Sequence, residues 1–487
     1  MGLYDYTLYS VIKRNARVHG DKPALICGQE RISHREFLAK VDRLATGLLE
    51  AGSGKDQRIA VLAKNSLEYV YLFGAAAKIG AILLVINWRL NPDEIAYIIS
   101  DGAPGILCVD PEFQSTVSPL IDREGRSVAC FSMGNGNGMF RAFSDLMEND
   151  GRSPETDVSD TDGWIIIHTA AVHGRPRGAL ITHRGMILTA LQLMRPWHLT
   201  EDDPSLVMLP LFHEAGQLVA MGTVIAGGCN VVLPAFDVDQ ALSYIEEFRV
   251  ATFGTFPPIL KTILDKAEEA GRDISSLKHG MGLEEPGTAK RFEQMTGGTF
   301  WAGYGQSETS GLVTLAPYFA KPGSAGMPGH LSEVQILDED GNVLPTGQSG
   351  EIAVRGPSVF KGYWNLEEET EYTFRNGWHH TGDRGRLDED GYLWFEGRAP
   401  EKELIKPGGE NVYPAEVEKV IREHPLVEEV SVIGVPDSQW GEAIKAVCVL
   451  RQGQSLAQGE LIEFVAARIA RYKKPKHVVF VPELPKT

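Results

Sequence analysis

The chain has 487 residues, too many for one ordinary hydrophobic core, so two or more domains are expected. Hydrophobic residues make up 43% and charged residues 23%, and the net charge is −18 with no long Lys/Arg run, which argues against nucleic acid or an anionic membrane as the main partner. The five cysteines are scattered without a C-x-x-C pair, which disfavours a metal cluster or a disulfide framework and favours a reducing cytoplasm.

The first residues show no secretion signal, because no basic segment leads into an apolar run. No apolar stretch is long enough to span a bilayer, so stable membrane insertion is not expected. A strand at 58–63, a helix at 67–78 and a strand at 81–86 form a βαβ unit, which predicts a parallel sheet. The alternation returns at 230–266, so we predict an α/β fold of doubly wound sheets.

The texture changes at residue 326. Short β-rich runs at 334–337 and 350–354 alternate with turn sequences, which predicts an antiparallel or barrel-like piece. From about residue 398 the chain is long enough for a small α+β domain of its own. Its predicted elements are a helix at 415–423, strands at 430–435 and 443–450, and a helix at 458–470. We therefore predict an N-terminal domain over 1–397 and a mobile C-terminal domain over 398–487.

Three polar motifs punctuated by glycine follow one another along the chain. They are GYGQSET at 303–309, WHHTGD at 378–383, and Gly397-Arg398 leading into GGEN at 408–411. They supply an aromatic face for a base, carboxylates for a metal and for ribose hydroxyls, and an arginine for an anion, which are the groups that ATP needs. In this order they resemble the acyl-adenylate-forming superfamily of AMP-dependent synthetases and ligases, most closely its acyl-CoA synthetases (fatty-acid–CoA ligases). The resemblance extends from about Ala24 to Thr487.

The resemblance assigns roles to the first motif. Tyr304 would stack on adenine, with Gly305 beside it letting the backbone approach the ring. Ser307 would touch the α-phosphate, and Glu308 would bind Mg²⁺, so both are candidate catalytic residues. The alternative is a strand-to-loop segment with a half-buried tyrosine and a solvated glutamate.

The later motifs complete the nucleotide site that the resemblance implies. Asp383 would accept the ribose hydroxyls, and Arg398 would contact ribose. The alternatives are an Asx turn at Asp383 and a surface position for Arg398.

His213 follows the apolar run Leu209–Phe212 and resembles the gate beside the carboxylate site of acyl-CoA synthetases, so it is a third candidate catalytic residue. The alternative is a satisfied core histidine. Peptide-synthetase adenylation domains usually carry an aspartate here, so an amino-acid substrate is disfavoured. Gly408 and Gly409 resemble the loop that lines the pantetheine tunnel for CoA, although Pro414 also suits a loop leading into a helix.

The stretch 169–178 departs from the family's phosphate loop. Thr169, Gly174 and Arg177 remain as candidate nucleotide-binding residues, with Arg177 in place of the usual lysine. Most of the hydroxyls and one glycine are replaced, and valine disfavours the left-handed backbone that glycine allows. This departure bears on pyrophosphate handling.

Two further assignments concern the C-terminal part. The family's interdomain hinge would lie near Lys402-Glu403, and its catalytic lysine would lie a few residues beyond the LPKT sequence at 484–487. The basic segment 471–476 is expected to be a solvated helix end, with contact to CoA phosphates as the alternative.

The resulting hypothesis is an acid–CoA ligase that uses ATP, Mg²⁺ and CoA. The segments 208–216 and 252–260 are apolar, which suits a fatty or other apolar carboxylic acid, and an oligomer is possible. One alternative is a luciferase-like or carrier-protein-loading adenylase, distinguished by what consumes the acyl-adenylate. The other is a non-catalytic nucleotide or acyl-CoA binder, which the altered phosphate loop makes plausible.

Overall fold

The computed structural model describes residues 2–124, 128–172, 175–398 and 404–484. The N-terminal part begins with α1 (Leu8–Val18), β1 (Pro23–Cys27), β2 (Glu30–Ser33), α2 (His34–Glu50), β3 (Arg58–Leu62), α3 (Leu67–Ile79), β4 (Ile82–Val85), α4 (Pro92–Gly102), β5 (Ile106–Val109), α5 (Gln114–Glu124), β6 (Ala129–Ser132) and β7 (Arg141–Ala142). It continues with β8 (Gly163–Val172), β9 (Arg175–Thr182), α6 (His183–Trp197), β10 (Ser205–Val207), α7 (Glu214–Ala226), β11 (Asn230–Val232), α8 (Val238–Phe248), β12 (Thr252–Thr255), α9 (Ile259–Ala270), β13 (His279–Gly282), α10 (Pro286–Thr296), β14 (Thr299–Tyr304), β15 (Thr314–Pro317) and β16 (Met327–Pro328).

The remaining elements are shorter or lie in the C-terminal part. They are β17 (Glu333–Leu337), β18 (Gly350–Arg355), β19 (Gly362–Tyr363), α11 (Glu367–Thr373), β20 (His379–Leu387), β21 (Leu393–Arg398), α12 (Pro414–Arg422), β22 (Val427–Asp437), β23 (Gly441–Leu450), α13 (Gln458–Ala466) and β24 (His477–Phe480).

The strands in the described ranges form four sheets. The first has the order β19-β9-β8-β4-β3-β5-β6-β7, and the second has the order β16-β15-β14-β13-β12-β10-β11-β1-β2. The predicted βαβ unit is present, because β3 and β4 pair in parallel across α3. Both sheets have parallel centres, and the antiparallel pairs lie at both edges of the second sheet and at the β19 edge of the first. The predicted α/β fold of doubly wound sheets is therefore confirmed.

Helix α3 explains how the two large sheets share one core. It is apolar nearly all round, and a helix of that kind must be covered on every side. The largest buried cluster joins it to both sheets, through Leu25 of the second sheet and Ile59 and Trp164 of the first. The indole of Trp164 donates a hydrogen bond of 3.1 Å to the carbonyl of Phe73 in α3.

The third and fourth sheets match the change of texture in the sequence. The order β17-β18-β20-β21 is antiparallel throughout, as predicted for the piece after residue 326. The order β22-β23-β24 packs on α12 and α13 with a hydrophobic core of its own, which includes Val417, Val432 and Leu461. The division of the chain at 397/398 stays a prediction.

The described residues of the stretch 169–178 are extended. Strand β8 runs to Val172 and β9 starts at Arg175, and the two strands pair antiparallel. Loss of glycine explains the extended backbone, because the remaining residue types favour the β region. His173 and Gly174 lie outside the described residues.

Candidate active site

Tyr304, Asp383 and Arg398 meet although they are far apart in the chain. Tyr304 ends β14, and its backbone N–H donates to the Thr314 hydroxyl at 3.0 Å. Asp383 and Arg398 lie opposite each other where β20 pairs with β21. The third sheet therefore delivers a carboxylate and a guanidinium to the end of a strand in the second sheet.

The Asp383 carboxylate is the centre of this group. The Tyr304 hydroxyl donates to its Oδ2 at 2.7 Å, and the Arg398 Nε lies 3.0 Å from its Oδ1. Burial and the Asp383 charge raise the pKa of Tyr304 well above its usual value. Burial alone would lower the pKa of Arg398, but Asp383, Tyr413 and Tyr304 raise it above its usual value. Tyr304 therefore stays neutral and Arg398 stays charged at neutral pH.

Gln306 also holds Asp383, and the sequence reasoning missed it. Its side-chain amide donates to Asp383 Oδ2 at 2.6 Å and to the Thr381 carbonyl at 3.1 Å. Gln306 lies inside the GYGQSET motif, so its position in the sequence could have identified it as a candidate site residue. The amide contributes no charge, and it restrains the carboxylate without neutralising it.

Glu308 lies in a 3₁₀ turn over Ser307–Thr309 and is buried. The Tyr363 hydroxyl donates to its Oε1 at 2.9 Å, and the Thr169 hydroxyl donates to the same oxygen at 3.5 Å. The Arg177 guanidinium lies 4.1 Å from the centre of the Tyr363 ring. Thr169 and Arg177, two of the predicted phosphate-binding residues, thus lie beside Glu308, the first by direct contact and the second through Tyr363. Tyr363 was not predicted from the sequence.

Glu308 fits the magnesium ion that the family resemblance implies. Its carboxylate is a hard oxygen donor, and the contacts to Tyr363 and Thr169 engage Oε1 and not Oε2. Among the residues that the structure describes, no group of three or more His, Cys, Asp or Glu side chains is arranged to hold a metal ion. Most of the ion's other ligands would therefore be phosphate oxygens and water.

His213 precedes α7 and caps it. Its Nδ1 lies 3.2 Å from the backbone nitrogen of Ala215 and 3.2 Å from Oε2 of Glu214. The Ser307 hydroxyl donates to the same Glu214 oxygen at 3.0 Å. The two predicted catalytic residues His213 and Ser307 are thus joined through a carboxylate that the sequence reasoning did not single out.

Gly408 and Gly409 line one cavity together with His213, Arg89 and Phe256. Both glycines have positive φ angles, +61° and +85°, which favour glycine. A Cβ at Gly409 would lie 2.7 Å from the Phe256 ring. The two glycines therefore leave this wall of the cavity, beside His213, without side chains.

Lys406 is a further residue that the sequence reasoning missed. Burial lowers the pKa of its ammonium group, and Arg398 lowers it further, against the opposing charges of Asp383 and Glu214. It follows a chain segment, Lys402-Glu403 included, that lies outside the described residues. The C-terminal part thus brings a second basic side chain into the electrostatic neighbourhood of Asp383.

The basic segment 471–476 differs from the expected solvated helix end. Helix α13 ends at Ala466, and a 3₁₀ turn covers Arg471–Lys473. Lys473 is only 3% exposed, and its Nζ donates to Glu94 of α4 at 2.5 Å and to Glu416 of α12 at 2.7 Å. The expectation failed for this residue because its two partners are remote in sequence.

Two general features bear on the setting of the protein. Among the described residues, none of the helices combines the length and apolar character needed to cross a bilayer. All five cysteines lie in the described ranges, and none of them forms a disulfide there.

Comparison with known proteins agrees with this geometry. A family model described as AMP-binding enzyme matches residues 12–364, and the model of its C-terminal domain matches residues 416–487. A feruloyl-CoA synthase of an Amycolatopsis species is 34% identical over 97% of this chain and 95% of that protein. The long-chain-fatty-acid–CoA ligase FadD13 of Mycobacterium tuberculosis is 31% identical over 94% of this chain and 90% of that protein.

A solved structure shares the arrangement of both parts of the chain. It is a double mutant of o-succinylbenzoate CoA synthetase from Bacillus subtilis, bound to a product analogue. It superposes with a TM-score of 0.86 at 28% identity, covering 99% of this chain and 96% of that one. The match of the family model to most of the chain shows that this protein belongs to the AMP-binding enzyme family.

Proposed function

We propose that the chain joins an apolar carboxylic acid to coenzyme A through an acyl-adenylate, in an AMP-forming acid–thiol ligase reaction. The observation that carries the proposal is the convergence of Tyr304 and Arg398 on Asp383, each within hydrogen-bond distance of its carboxylate. They offer an aromatic ring, a ribose acceptor and a cation to a single adenosine phosphate.

In the first step the acid's carboxylate attacks the α-phosphorus of ATP, and pyrophosphate leaves. Both reactants are anions, so the site must supply positive charge and hold them in line. Arg398 is charged and positioned by Asp383. The Arg177 guanidinium lies over the ring of Tyr363, whose hydroxyl donates to Glu308. A bound Mg²⁺ would further neutralise the phosphates at Glu308.

In the second step the thiol of CoA displaces AMP from the acyl group. The cavity lined by His213, Gly408 and Gly409 would receive the thin pantetheine arm of CoA. These glycines belong to the C-terminal part, which supports a rotation of that part between the two steps, with the hinge near Lys402-Glu403. CoA would then complete the site only when the C-terminal part is in its thioester-forming orientation.

The substrate proposal rests on the lining of the cavity and on the relatives. Met208, Leu209, Phe256 and Ile259 give it an apolar wall. The relatives are named for feruloyl and long-chain fatty acyl groups, both largely apolar. We place the reaction in the cytoplasm, since five cysteines that form no disulfide in the described ranges suit a reducing compartment.

Exchange of labelled pyrophosphate into ATP tests the proposal, using a panel of acids from acetate to long-chain fatty acids, benzoates and cinnamates. We expect exchange that depends on an apolar acid, and AMP release only when CoA is added. Asp383→Asn should lower the exchange roughly 10- to 100-fold, because hydrogen bonds to a charged group contribute about 1.5–3 kcal/mol. Asp340→Asn, in an exposed turn, is the matched control. Absence of exchange with every acid would favour the non-catalytic binder.

Exchange without any CoA-dependent AMP release would instead indicate an adenylase with another acceptor. The intact adenosine site serves that alternative equally well. The cavity at Gly408 and Gly409 supports CoA over other acceptors.

A further inference from the structure

Asn65 is a buried side chain of the first sheet that reaches into the second sheet. It lies between β3 and α3 and is 4% exposed. Its Nδ2 donates to the carbonyl oxygens of Leu209 at 3.0 Å and Leu233 at 3.2 Å, and that of Val207 lies at 3.5 Å. Its Oδ1 accepts a hydrogen bond of 2.8 Å from the backbone N–H of Leu211. One amide therefore ties together two separate segments of the chain.

Those two segments form two walls of the cavity beside His213. They leave the neighbouring parallel strands β10 and β11, whose pairing ends before these walls begin. Residues 208–210 line the cavity from the first segment, and residues 234–236 line it from the second. Asn65 lines the same cavity. Its bonds to both segments therefore fix the separation of the walls where strand pairing no longer does.

The backbone on either side of Asn65 is itself held in place. The preceding N–H, of Lys64, donates to Asp110 Oδ2 at 2.7 Å. The following residue, Ser66, caps α3 by accepting a hydrogen bond from the Tyr69 N–H at 3.1 Å. The Asn65 amide therefore starts from a fixed point of the first sheet, and it transmits that position to the cavity walls.

A second buried amide holds the wall that leads to His213. Gln217 of α7 is fully buried, and its Nε2 donates to the carbonyl of Leu211 at 2.9 Å. Asn65 engages the N–H of the same leucine. Leu211 is therefore held through both of its backbone polar groups, two residues before His213.

Asn65 acts on the cavity through its shape and not by binding a ligand. The amide nitrogen has two hydrogens, and the carbonyls of Leu209 and Leu233 engage both of them. This nitrogen thus keeps no hydrogen for a substrate carboxylate. Buried polar groups whose donors are engaged in this way make a structure rigid and unique.

We propose that Asn65 is a positioning residue that sets the width of the acid pocket and, through that width, the selectivity among carboxylic acids, an inference that rests on the proposed ligase function. Walls held at one separation favour acids of matching thickness, because dispersion contacts weaken steeply across a small gap. Loss of the amide frees both walls. The pocket then accepts acids of more shapes and holds each of them less well.

Asn65→Ala removes the hydrogen bonds to both walls, and pyrophosphate exchange with straight-chain fatty acids, benzoates and cinnamates measures the effect. We expect kcat/KM for the preferred acid to fall roughly 10- to 100-fold, as for a misplacement of about 1 Å. The ratio of kcat/KM between the preferred and the poorest acid should fall at least about fivefold, which is what one hydrogen bond contributes. KM for ATP should stay within about twofold, since the adenosine groups lie on other elements.

Asn15→Ala is the matched control for a purely structural loss. Asn15 of α1 is also a buried amide, 1% exposed, and its Nδ2 donates to the carbonyl of Val224 at 2.6 Å. This variant should lower the melting temperature and leave the selectivity among acids unchanged. If Asn65→Ala does not fold, Asn65→Gln takes its place, because it keeps the amide and moves it by one methylene; it should lower the selectivity as well.

Three results would overturn the inference. They are a uniform fall for every acid that matches the effect of Asn15→Ala, a rise in KM for ATP as large as that for the acid, and an unchanged selectivity in the Asn65 variant. An unaltered protein that supports no exchange with any acid would instead refute the ligase function itself. An unaltered protein that is active and selective, with a selectivity that survives the change at Asn65, would refute only the role of Asn65.

Discussion

Lys473 links three elements through a single buried cation, so its removal should be costly. Its Nζ donates to Glu94 of α4 and to Glu416 of α12, and these side chains are 17% and 11% exposed. Burial alone would lower the pKa of Lys473, but Glu416 and Glu94 raise it above its usual value. The ammonium group therefore stays charged at neutral pH and balances the two carboxylates.

Lys473→Met removes the cation and leaves both carboxylates buried without a partner. Breaking a buried ion pair in this way costs about 3–5 kcal/mol. For a domain of 60–100 residues, a loss of ~3 kcal/mol lowers the melting temperature by at least ~12 °C. Because the folded pKa lies above the unfolded value, the stabilisation is complete below about pH 10 and is lost as pH rises through the folded pKa. The full effect should therefore appear at pH 7.

The assay is urea unfolding at pH 7, with hydrogen exchange of β22 and β23 reporting on the C-terminal part. Lys474→Met is the matched control, because Lys474 is 33% exposed and its pair with Glu463 is a surface contact. Lys473→Met combined with Glu94→Gln and Glu416→Gln removes every charge of the cluster, and it should recover at least half of the lost stability. A loss below about 1 kcal/mol for Lys473→Met, or no recovery in the triple variant, would refute the reasoning.

Three other substitutions test the site and its surroundings. Tyr363→Phe removes the hydroxyl that donates to Glu308, so Mn²⁺ binding measured by electron paramagnetic resonance in the presence of ATP should weaken about 3- to 10-fold. The control is Tyr71→Phe, which should bind Mn²⁺ normally, because the buried Tyr71 hydroxyl has no partner among the described residues. Burial raises the pKa of Glu284 to about 7, so its charged form destabilises the folded state as pH rises above the unfolded pKa near 4.5. Glu284→Gln should therefore melt at a higher temperature than the unaltered protein at pH 8 and at the same temperature at pH 4. An equal difference in melting temperature at both pH values would contradict this. Gly409→Ala places a methyl group 2.7 Å from the Phe256 ring, at a φ of +85° that favours glycine. Thioester formation should therefore fall at least tenfold, while pyrophosphate exchange persists. Equal loss of both activities would exclude a role confined to CoA.

Local patterns in the chain were sufficient for most of the fold. The predicted strand, helix and strand at 58–86 correspond to β3, α3 and β4 within one or two residues. The same holds for α12 and β23 in the C-terminal part. Periodicity and caps are properties of neighbouring residues, so they can be read without knowing what packs where.

Prediction failed where distant residues decide the outcome. The strands β8 and β9 extend into the stretch 169–178, which the sequence did not indicate, and the phosphate-binding role of this stretch stays a prediction. Lys473 was expected at a solvated helix end, and it is buried because Glu94 and Glu416 surround it. Nothing near Lys473 in the sequence signals either carboxylate.

The sequence by itself determined the α/β architecture, the membership of the adenylate-forming enzymes and the candidate residues for adenosine. The order of motifs carries that information, since each supplies a chemical group that ATP requires. Only the tertiary structure decided how those groups act on one another. Asp383 became the centre because Tyr304, Gln306 and Arg398 reach it from two sheets, and Glu214 joined His213 to Ser307 because α7 begins beside the 3₁₀ turn. Hydrogen bonds and charge pairs act over a few ångströms in space, and the chain order does not encode those distances directly.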